Sequence, residues 1–592
     1  MLNTIDTIAE KILTNGIDKQ EAIRSFERLS EPEKNLLISK LKFKLSGSDN
    51  AVTDSVETNA LKKEQAVLLK TVDERSLNEQ HEKYISQLAK DLGNFAPKSK
   101  ENALKHQQYF VDQRKISNLK KCLKSVQFHL TYEKAEGSYL FDIDGNQYVD
   151  ITGDNGVNIF GHQPEFIKEA IIARVNKGFP LVGYTDELFK AAKLFTDLTG
   201  HERVLFTQSG TEALMWAVRI ARAATGKKKI VIFEGSYHGL SDAVIAMKDQ
   251  FGNSLALGRG MLQEFADQLI VLDYGDMDQL DIIEKNADEI AGVLVEPVQS
   301  RHPDLQPVEF LKEIRKLTLE KDIPLIFDEM ITGFRVCPKG TQGYFNIKAD
   351  IATYGKIPGG GMPTGMIAGL AKYMNYVDGG TWNFDDDSMP SLKRTLMAGT
   401  HTRNPVKIAA SLAVLSEINA RCSGKLECAT CTCFQKELNQ KTKSMVDELN
   451  VYFLNNNFPI IIESFSSLFR FRFLDSPNGL TSELLFILMR MNGVETSVSG
   501  NFFLTTAHTD ENIKSIVSAV KKSVETLLAE GFFYVPELVT VEAEEEVEYL
   551  REPVHALINT IETQHAENNS SYHIELIKNL LKSDLQKFLG EH

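Results

Sequence analysis

The sequence has few cysteines and no long apolar run. Six cysteines in 592 residues are too few for the disulfide framework of a secreted protein, which favours a reducing compartment. No apolar run approaches the ~20 residues that a membrane-spanning helix needs. The opening residues, MLNTIDTIAEKILTNG, have neither a basic leader nor a cleavable apolar stretch and do not resemble a secretion signal. We therefore expect a cytoplasmic protein.

The sequence has fewer basic than acidic residues. The 66 Lys and Arg residues against 81 Asp and Glu residues give a formal charge of −15, whereas nucleic-acid binding needs basic surface to neutralise phosphate groups. The charge therefore argues against general nucleic-acid binding. A chain of this length exceeds what one hydrophobic core serves, so we expect two or more domains.

What the sequence does contain is an alternation of short apolar runs and helical patterns between about residues 130 and 530. The runs KIVIF, LIVLD, AGVLVEP and PLIFDE are short and rich in apolar and β-branched residues, as in strands buried on both faces. Helical patterns separate them. This alternation predicts an α/β fold around a mainly parallel sheet.

Two predicted strands end in residues suited to binding a phosphate and a flat ring. In FTQSGTEALMW, Ser209, Gly210 and Thr211 precede a helical pattern, where backbone N–H groups and the positive helix end attract an anion. In KIVIFEGSYHG, Tyr237 and His238 follow a strand, at the edge where α/β sheets bind ligands. Each observation has an ordinary alternative, because Ser and Thr commonly cap helices and Tyr237 could belong to a surface turn.

A third strand end, in PLIFDEMITGF, places Asp328 and Glu329 directly after an apolar run. A buried carboxylate needs a cationic or protonated partner, because its desolvation is otherwise prohibitive. The partner of Asp328 is either a basic side chain in a structural salt bridge or a protonated pyridine nitrogen, which the carboxylate would keep electron-withdrawing.

Lys356 follows a fourth apolar run, in ADIATYGKIPGGGMPTG. Partial burial lowers the pKa of a lysine, which favours the neutral amine that forms a Schiff base with an aldehyde. Gly359, Gly360, Gly361 and Gly365 would let the backbone pass close to a bound ring. The alternative is a structural lysine whose amine reaches water along an apolar surface.

In this order, the phosphate-binding turn, the aromatic ring, the strand-end Asp and the Lys resemble the class-III aminotransferases of fold type I. These enzymes use pyridoxal 5'-phosphate (PLP) and include glutamate-1-semialdehyde aminomutase. The resemblance covers residues 137–531. It implies a large, mainly parallel-sheet domain and a smaller α+β domain. The residue patterns outside the resemblance predict helical appendages at both ends of the chain.

The resemblance also implies a role for each matching residue. Lys356 would hold PLP as a Schiff base and later move the proton, and Asp328 would pair with the pyridine nitrogen. Tyr237 would stack on the ring, and Ser209–Thr211 would hold the phosphate group.

Further contacts and a dimer follow from the same resemblance. Glu296 and Gln299 of VEPVQS lie where the family places polar groups near the cofactor. We expect His238, beside Tyr237, to bind the cofactor as well. In the family a Gly-Thr pair from the neighbouring subunit also reaches the phosphate, and Gly399 and Thr400 of MAGTHTRNP match that pair. We therefore expect a homodimer.

We expect no metal ion, because the irregular cysteine spacing in RCSGKLECATCTCF favours reduced loop cysteines over a zinc site.

Residue patterns at the two ends and the resemblance between them together give the expected domain boundaries. We predict a helical N-terminal appendage and linker at 1–90, the N-terminal part of the small domain at 91–180, the large PLP-binding domain at 181–400, the C-terminal part of the small domain at 401–535, and an acidic, amphipathic helical tail at 536–592.

Four segments resemble a narrower group, the aminotransferase domains of polyketide and nonribosomal peptide synthases, which aminate a carbonyl group on a carrier-bound acyl thioester. The segments are VEPVQSRHPDLQP, KELNQKT, SLFRFRF and FFLTTAHTDENI. LSEPEKNLLISKLK similarly resembles linker helices between modules of such assembly lines. No convincing carrier domain is present, so an acyl or peptidyl carrier protein would act in trans or lie outside this chain.

The sequence therefore predicts a PLP-dependent aminotransferase that moves an amino group from a donor amino acid to a keto or aldehyde carbon, on a carrier-bound acyl chain in natural-product biosynthesis. Two alternatives stay open: an aminomutase that shifts an amino group within one molecule, and a catalytically silent scaffold that binds carriers. The presence of both Lys356 and Asp328 argues against the silent scaffold.

Overall fold

The computed structural model describes residues 68–112, 119–422, 433–476, 479–497 and 500–535. Within these ranges the strands are β1 Lys70–Thr71, β2 Tyr132–Glu136, β3 Tyr139–Asp142, β4 Gln147–Asp150, β5 Arg203–Thr207, β6 Lys229–Phe233, β7 Met247–Lys248, β8 Ser254–Leu255, β9 Leu269–Leu272, β10 Ile290–Val295, β11 Leu325–Asp328, β12 Ile351–Gly355, β13 Gly365–Gly369, β14 Ile460–Phe465, β15 Leu468–Phe473, β16 Val494–Glu495, β17 Asn501–Phe503 and β18 Phe533–Tyr534. The helices are α1 Glu79–Phe95, α2 Pro97–His106, α3 Gly153–Gly156, α4 Glu165–Asn176, α5 Asp186–Thr199, α6 Gly210–Thr225, α7 Gln263–Ala266, α8 Leu280–Lys285, α9 Val308–Glu320, α10 Gly340–Phe345, α11 Ala371–Asp378, α12 Pro405–Arg421, α13 Phe434–Asn455, α14 Leu480–Met491 and α15 Asp510–Ala529.

Seven strands form the central sheet, in the order β5, β13, β12, β11, β10, β6, β9. The neighbours from β12 to β9 run parallel, whereas β13 is antiparallel to both β12 and β5. Every residue of β10, β11, β12 and β13 is buried, as expected for strands covered on both faces. The predicted α/β fold around a mainly parallel sheet is confirmed, and the four apolar runs are strands β6, β9, β10 and β11.

Helix α6 packs on the central sheet and has its N-terminus at the carboxyl ends of the strands. Its apolar side, within residues 213–221, packs with strand residues such as Ile230 and Ile326 in one buried cluster. Ser209 caps the first turn, and Gly226 ends the helix in the left-handed conformation with φ 71°, which glycine adopts without steric cost. Burial of each large aliphatic side chain contributes roughly 1.5–3 kcal/mol, so the packing holds the N-terminus of α6 against the strand ends.

Four smaller sheets lie outside the central one in the described ranges, and the two largest join separate parts of the chain. In the first, with the order β16, β4, β3, β2, strand β16 runs parallel to β4 and Val494 lies opposite Val149. In the second, β14, β15 and β17 are antiparallel neighbours. Chain segments before and after the central sheet therefore share a sheet. The bounds of the five predicted domains stay predictions.

The described N-terminal residues contact later parts of the chain. Strand β1 pairs with β18, and His81 Nε2 lies 3.1 Å from the carbonyl oxygen of Gly531. At the start of α2, the Asp144 carboxylate accepts the N–H groups of Lys98 and Ser99 at 2.7 and 3.0 Å. These contacts make residues 70–534 one compact unit.

A second unit, of residues 1–69 and 535–592, lies almost entirely outside the described residues. So do the predicted linker helices at LSEPEKNLLISKLK, the predicted C-terminal tail, and two of the four clustered cysteines, Cys428 and Cys431. No helix in the described ranges is both long and apolar enough to cross a membrane.

Candidate active site

The carboxyl ends of the sheet strands meet at one cavity of about 420 Å³. Its wall includes Ser209 after β5, Tyr237 beyond β6, Glu296 after β10, Asp328 at the end of β11 and Lys356 after β12. Open α/β sheets bind ligands at this edge, and the volume is in the range of small-molecule sites. The structure thus brings together side chains that lie far apart in the sequence.

Lys356 has an unusual backbone conformation directly after a wholly buried strand. Its φ is 57° and its ψ is −103°, a region that residues with a side chain rarely adopt and that functional sites often contain. Burial lowers the pKa of the Lys356 amine, although the carboxylates of Asp328 and Glu296 oppose this shift. A strained lysine with a lowered pKa is better suited to react with a carbonyl group than to reach water as a structural lysine.

Asp328 is almost inaccessible to water and has partners for both carboxylate oxygens. His238 Nδ1 lies 2.8 Å from Asp328 Oδ2. The N–H of Met330 and the hydroxyl of Thr353 donate to Oδ1 at 3.0 and 3.4 Å. One partner of Asp328 is therefore a histidine of this chain, as in the first of the two alternatives from the sequence. Asp328 also lines the cavity, where a ligand can reach it.

Glu296 is a second buried carboxyl group in the wall. Its Oε1 accepts the N–H of Ser300 at 2.9 Å, and its Oε2 accepts the N–H of Tyr237 at 3.3 Å. Burial and the neighbouring Asp328 raise the pKa of the Glu296 carboxyl. The Tyr237 side chain is 50% exposed and lines the cavity, so it is accessible to a ligand there.

The N-terminus of α6 forms another part of the wall. Ser209 Oγ accepts the N–H of Glu212 at 3.2 Å, so the helix-capping explanation holds for this hydroxyl. Glycines keep the surrounding space open. A Cβ at Gly239 would lie 2.7 Å from Thr211 Oγ1, and a Cβ at Gly210 would lie 2.8 Å from the sulfur of a methionine. Only glycine lets these backbone segments approach so closely, which leaves N–H groups of the turn available to an anion.

These donors and acceptors fit the three reactive groups of PLP. A helix N-terminus with nearby hydroxyls suits the phosphate, a buried carboxylate suits a protonated pyridine nitrogen, and the Lys356 amine suits the aldehyde. Thr364 Oγ1 lines the same cavity and is buried with no hydrogen-bond partner among the described residues. The wall therefore offers a further polar contact to a ligand.

Four predicted site residues do not line this cavity. One is His238, whose Nδ1 contacts Asp328 instead. The Gln299 amide donates to the carbonyl oxygen of Glu234 at 2.8 Å, and the side chain is 2% exposed, so it supports the chain after β6. Gly399 and Thr400 lie in the connection between α11 and α12, where a Cβ at Gly399 would lie 3.1 Å from Gln208 Nε2. Their expected place in a neighbouring subunit's site stays a prediction.

A second buried lysine was not found by sequence reasoning. Lys407, in the first turn of α12, is 4% exposed and donates to the carbonyl oxygen of Thr207 at 2.6 Å. Burial lowers the pKa of Lys407 to about 8, against the opposing charge of Glu212. It lines a neighbouring cavity of about 460 Å³, which shares Gln208 with the first. The segment NPVKIAAS has the pattern of an ordinary helix start, so no signal marked this lysine.

Comparison with known proteins identifies the family. The family described as Aminotransferase class-III matches residues 123–451, which is more than half of the chain. The chain belongs to the class-III aminotransferases. It is therefore a PLP-dependent enzyme, which excludes the silent scaffold that the sequence left open.

Solved structures agree with this aminotransferase assignment. The β-phenylalanine aminotransferase from Variovorax paradoxus is 25% identical, with a TM-score of 0.63 over 76% of this chain and 98% of that chain. A transaminase with PLP bound is also 25% identical, with a TM-score of 0.64 over 74% of this chain and 99% of that chain. A glutamate-1-semialdehyde aminomutase from Pseudomonas aeruginosa PAO1, 18% identical with a TM-score of 0.64 over 76% and 98%, shares the fold.

The contact between His238 and Asp328 gives a first prediction for the aminotransferase. His238→Phe removes one of three hydrogen-bond partners of the carboxylate. We expect kcat to fall about tenfold, the effect of one lost hydrogen bond to a charged group, with little change in the donor KM. His238→Asn can still place an N–H near the position of Nδ1 and should recover part of the rate. Steady-state kinetics tests this prediction, with the melting temperatures of both variants measured to show that they stay folded. Equal losses of kcat in His238→Phe and His238→Asn would contradict it.

Proposed function

We propose that this aminotransferase moves an amino group from a donor amino acid to the keto or aldehyde carbon of an acyl chain held as a thioester on a carrier protein. The observation that carries the chemistry is the shared cavity of Lys356, Asp328 and Tyr237 beside the N-terminus of α6. The thioester part is supported by the sequence. VEPVQSRHPDLQP and SLFRFRF resemble aminotransferase domains of polyketide and nonribosomal peptide synthases.

In this proposal Lys356 has two tasks. Its amine, made less basic by burial, holds the cofactor covalently at rest. Once the donor amine has displaced it, Nζ takes the proton from the donor Cα and later delivers a proton to the acceptor carbon. PLP supplies the electron sink for this bond cleavage when it is bound.

The other residues of the site bind and orient the cofactor. Asp328, held by His238, presents the carboxylate that keeps the pyridine nitrogen protonated. Ser209–Thr211 offer N–H groups and hydroxyls to the phosphate, and Tyr237 covers the ring. Glu296 fixes the backbone at both Tyr237 and the loop after β10, which keeps the aromatic side chain at the cavity wall.

We also propose that the enzyme acts as a homodimer, as is typical of its family, and that Gly399 and Thr400 of one subunit reach the phosphate site of the other. Large apolar side chains on the same segment of the chain support this arrangement, because Phe384 is 88% exposed and Leu396 is 80% exposed. Exposed apolar surface of this kind marks sites of protein association.

Mass spectrometry of a carrier-bound β-ketoacyl chain tests the proposed function. With a nitrogen-15-labelled donor amino acid, we expect the label to appear on the acyl chain while it is still attached to the carrier. The Lys356→Ala variant is the control and should transfer no label.

Two outcomes would contradict the proposal. A carrier-bound chain that stays unchanged while a free aldehyde is aminated would exclude the carrier-bound substrate. Turnover that needs no donor and moves nitrogen within one molecule would indicate an aminomutase instead.

A further inference from the structure

A group of charged side chains lies where the loop after β10 meets strands β14 and β15, apart from the residues assigned to the cofactor. We call this group the arginine cluster. It consists of Arg301, His302, Asp304, Glu463, Arg470 and Arg472.

The side chains on β14 and β15 are held in place by the protein itself. Arg472 forms an ion pair with Glu463, a residue that is 5% exposed. Arg470 Nη1 donates to Asn501 Oδ1 at 2.7 Å. Gly500 has a φ of 71°, and a Cβ there would lie 3.3 Å from the Arg470 guanidinium. Glycine at this position therefore lets the guanidinium lie against the backbone in a fixed orientation.

Arg301 brings a second guanidinium group towards Arg470. Burial and the charge of Arg301 both lower the pKa of Arg470, while Glu463 acts in the opposite direction. Like charges repel each other, and an anion bound near both guanidinium groups would relieve that repulsion. This arrangement favours a negatively charged ligand.

The cluster also contains residue types that bind metals, and the charges decide between a cation and an anion. One ligand atom each from His302, Asp304 and Glu463 lies within 4.8 Å of the others. A divalent cation would add positive charge to a group that already has three guanidinium groups against two carboxyl groups. In addition, burial and the neighbouring Asp304 raise the pKa of the Glu463 carboxyl to about 7, although Arg472 opposes this shift. The balance favours an anion.

The cluster adjoins the cavity along the chain and in space. Ser300 lines the cavity and directly precedes Arg301. A Cβ at Gly235 would lie 3.6 Å from the His302 ring, and Gly235 is two residues before Tyr237 in the cavity wall. The cluster therefore lies beside two chain segments that form part of the cavity wall.

We propose that the arginine cluster binds the phosphate group of a phosphopantetheine arm while the acyl thioester at the other end of the arm lies at Lys356. This inference rests on the proposed function, because the thioester of a carrier protein is attached through such an arm. The planar N–H fork of arginine matches phosphate oxygens better than any other side chain.

The test compares two β-keto-octanoyl thioesters that differ only in the phosphate, one of phosphopantetheine and one of pantetheine. The wild-type enzyme should aminate the phosphorylated thioester with a kcat/KM about tenfold higher, the effect of one charge-assisted hydrogen bond. Arg301→Gln and Arg470→Gln should abolish this preference, and Arg301→Lys should keep part of it. Arg75→Gln removes an exposed arginine outside the cluster and should leave the preference unchanged.

Each contrary outcome has a distinct meaning. Equal kcat/KM values for both thioesters in the wild type would overturn this inference alone. So would a tenfold loss for Arg301→Gln in the donor half-reaction, which would assign the cluster to the donor carboxylate. Amination of a free aldehyde with no amination of either thioester would overturn the proposed function together with this inference.

Discussion

Lys356→Ala should abolish covalent attachment of PLP and amino transfer while the protein stays folded. The lysine follows β12, whose five residues are all buried and all pair with β13, three of them with β11 as well. The variant should therefore keep its melting temperature. Activity should fall by at least about 10²-fold, the lower end of what a positioned general acid or base contributes. Label transfer and the absorbance of the bound cofactor measure both effects.

Lys407→Ala is the matched control for this variant. Lys407 is buried and its pKa is lowered to about 8, so it has the properties of a reactive lysine, but it lines the neighbouring cavity. We expect the Lys407→Ala variant to keep both the covalent attachment of PLP and the amino-transfer activity. Loss of covalent PLP in Lys407→Ala, with retention in Lys356→Ala, would reverse the assignment.

Asp328→Asn should bind PLP and catalyse poorly. In the proposed mechanism, the contacts at Ser209–Thr211 and the covalent bond at Lys356 would hold the cofactor without the carboxylate. A neutral amide does not stabilise a protonated pyridine nitrogen, so the negative charge that develops as the Cα proton leaves is less well stabilised. We expect the rate to fall roughly 10²–10³-fold, the size of a lost preorganised electrostatic contact. With a Cα-deuterated donor the isotope effect should grow, because proton removal becomes more rate-limiting.

The adjacent carboxyl group provides the control for Asp328. Glu329 Oε1 accepts the Thr341 hydroxyl at 2.6 Å and the N–H of Gln342 at 3.0 Å, and Glu329 is fully buried away from the cavity. Glu329→Gln should lower the melting temperature and leave the isotope effect unchanged. Wild-type transfer by Asp328→Asn with an unchanged isotope effect would show that Asp328 is structural.

Much of the site could be predicted because strand ends are local sequence features. An apolar run followed by Asp328 or Lys356 indicates a buried strand and the edge at which it ends, and parallel strands bring such ends together. The central sheet and its buried strands follow from the same runs. The contact between His238 and Asp328 was not predicted. Several polar residues lie at one edge of the sheet, and the sequence does not show which of them contact each other.

Other features depend on tertiary packing and have no local signal. The left-handed backbone at Lys356 depends on the strands that fix both sides of the turn. Gln299 follows β10 closely, but its amide bonds to a backbone carbonyl group near β6 because two adjacent strands place them side by side. The burial of Lys407 likewise arises from the packing of α12 against residues two hundred positions earlier in the chain.

Borohydride reduction of the PLP-loaded wild-type enzyme, followed by peptide mapping, tests the central claim most directly. Reduction makes the bond between the cofactor and its lysine permanent, so the modified peptide identifies the residue. The account predicts a single modified lysine, Lys356, in the peptide that contains ATYGKIPGG. Modification of Lys407 or of any other lysine, with Lys356 unmodified, would contradict it.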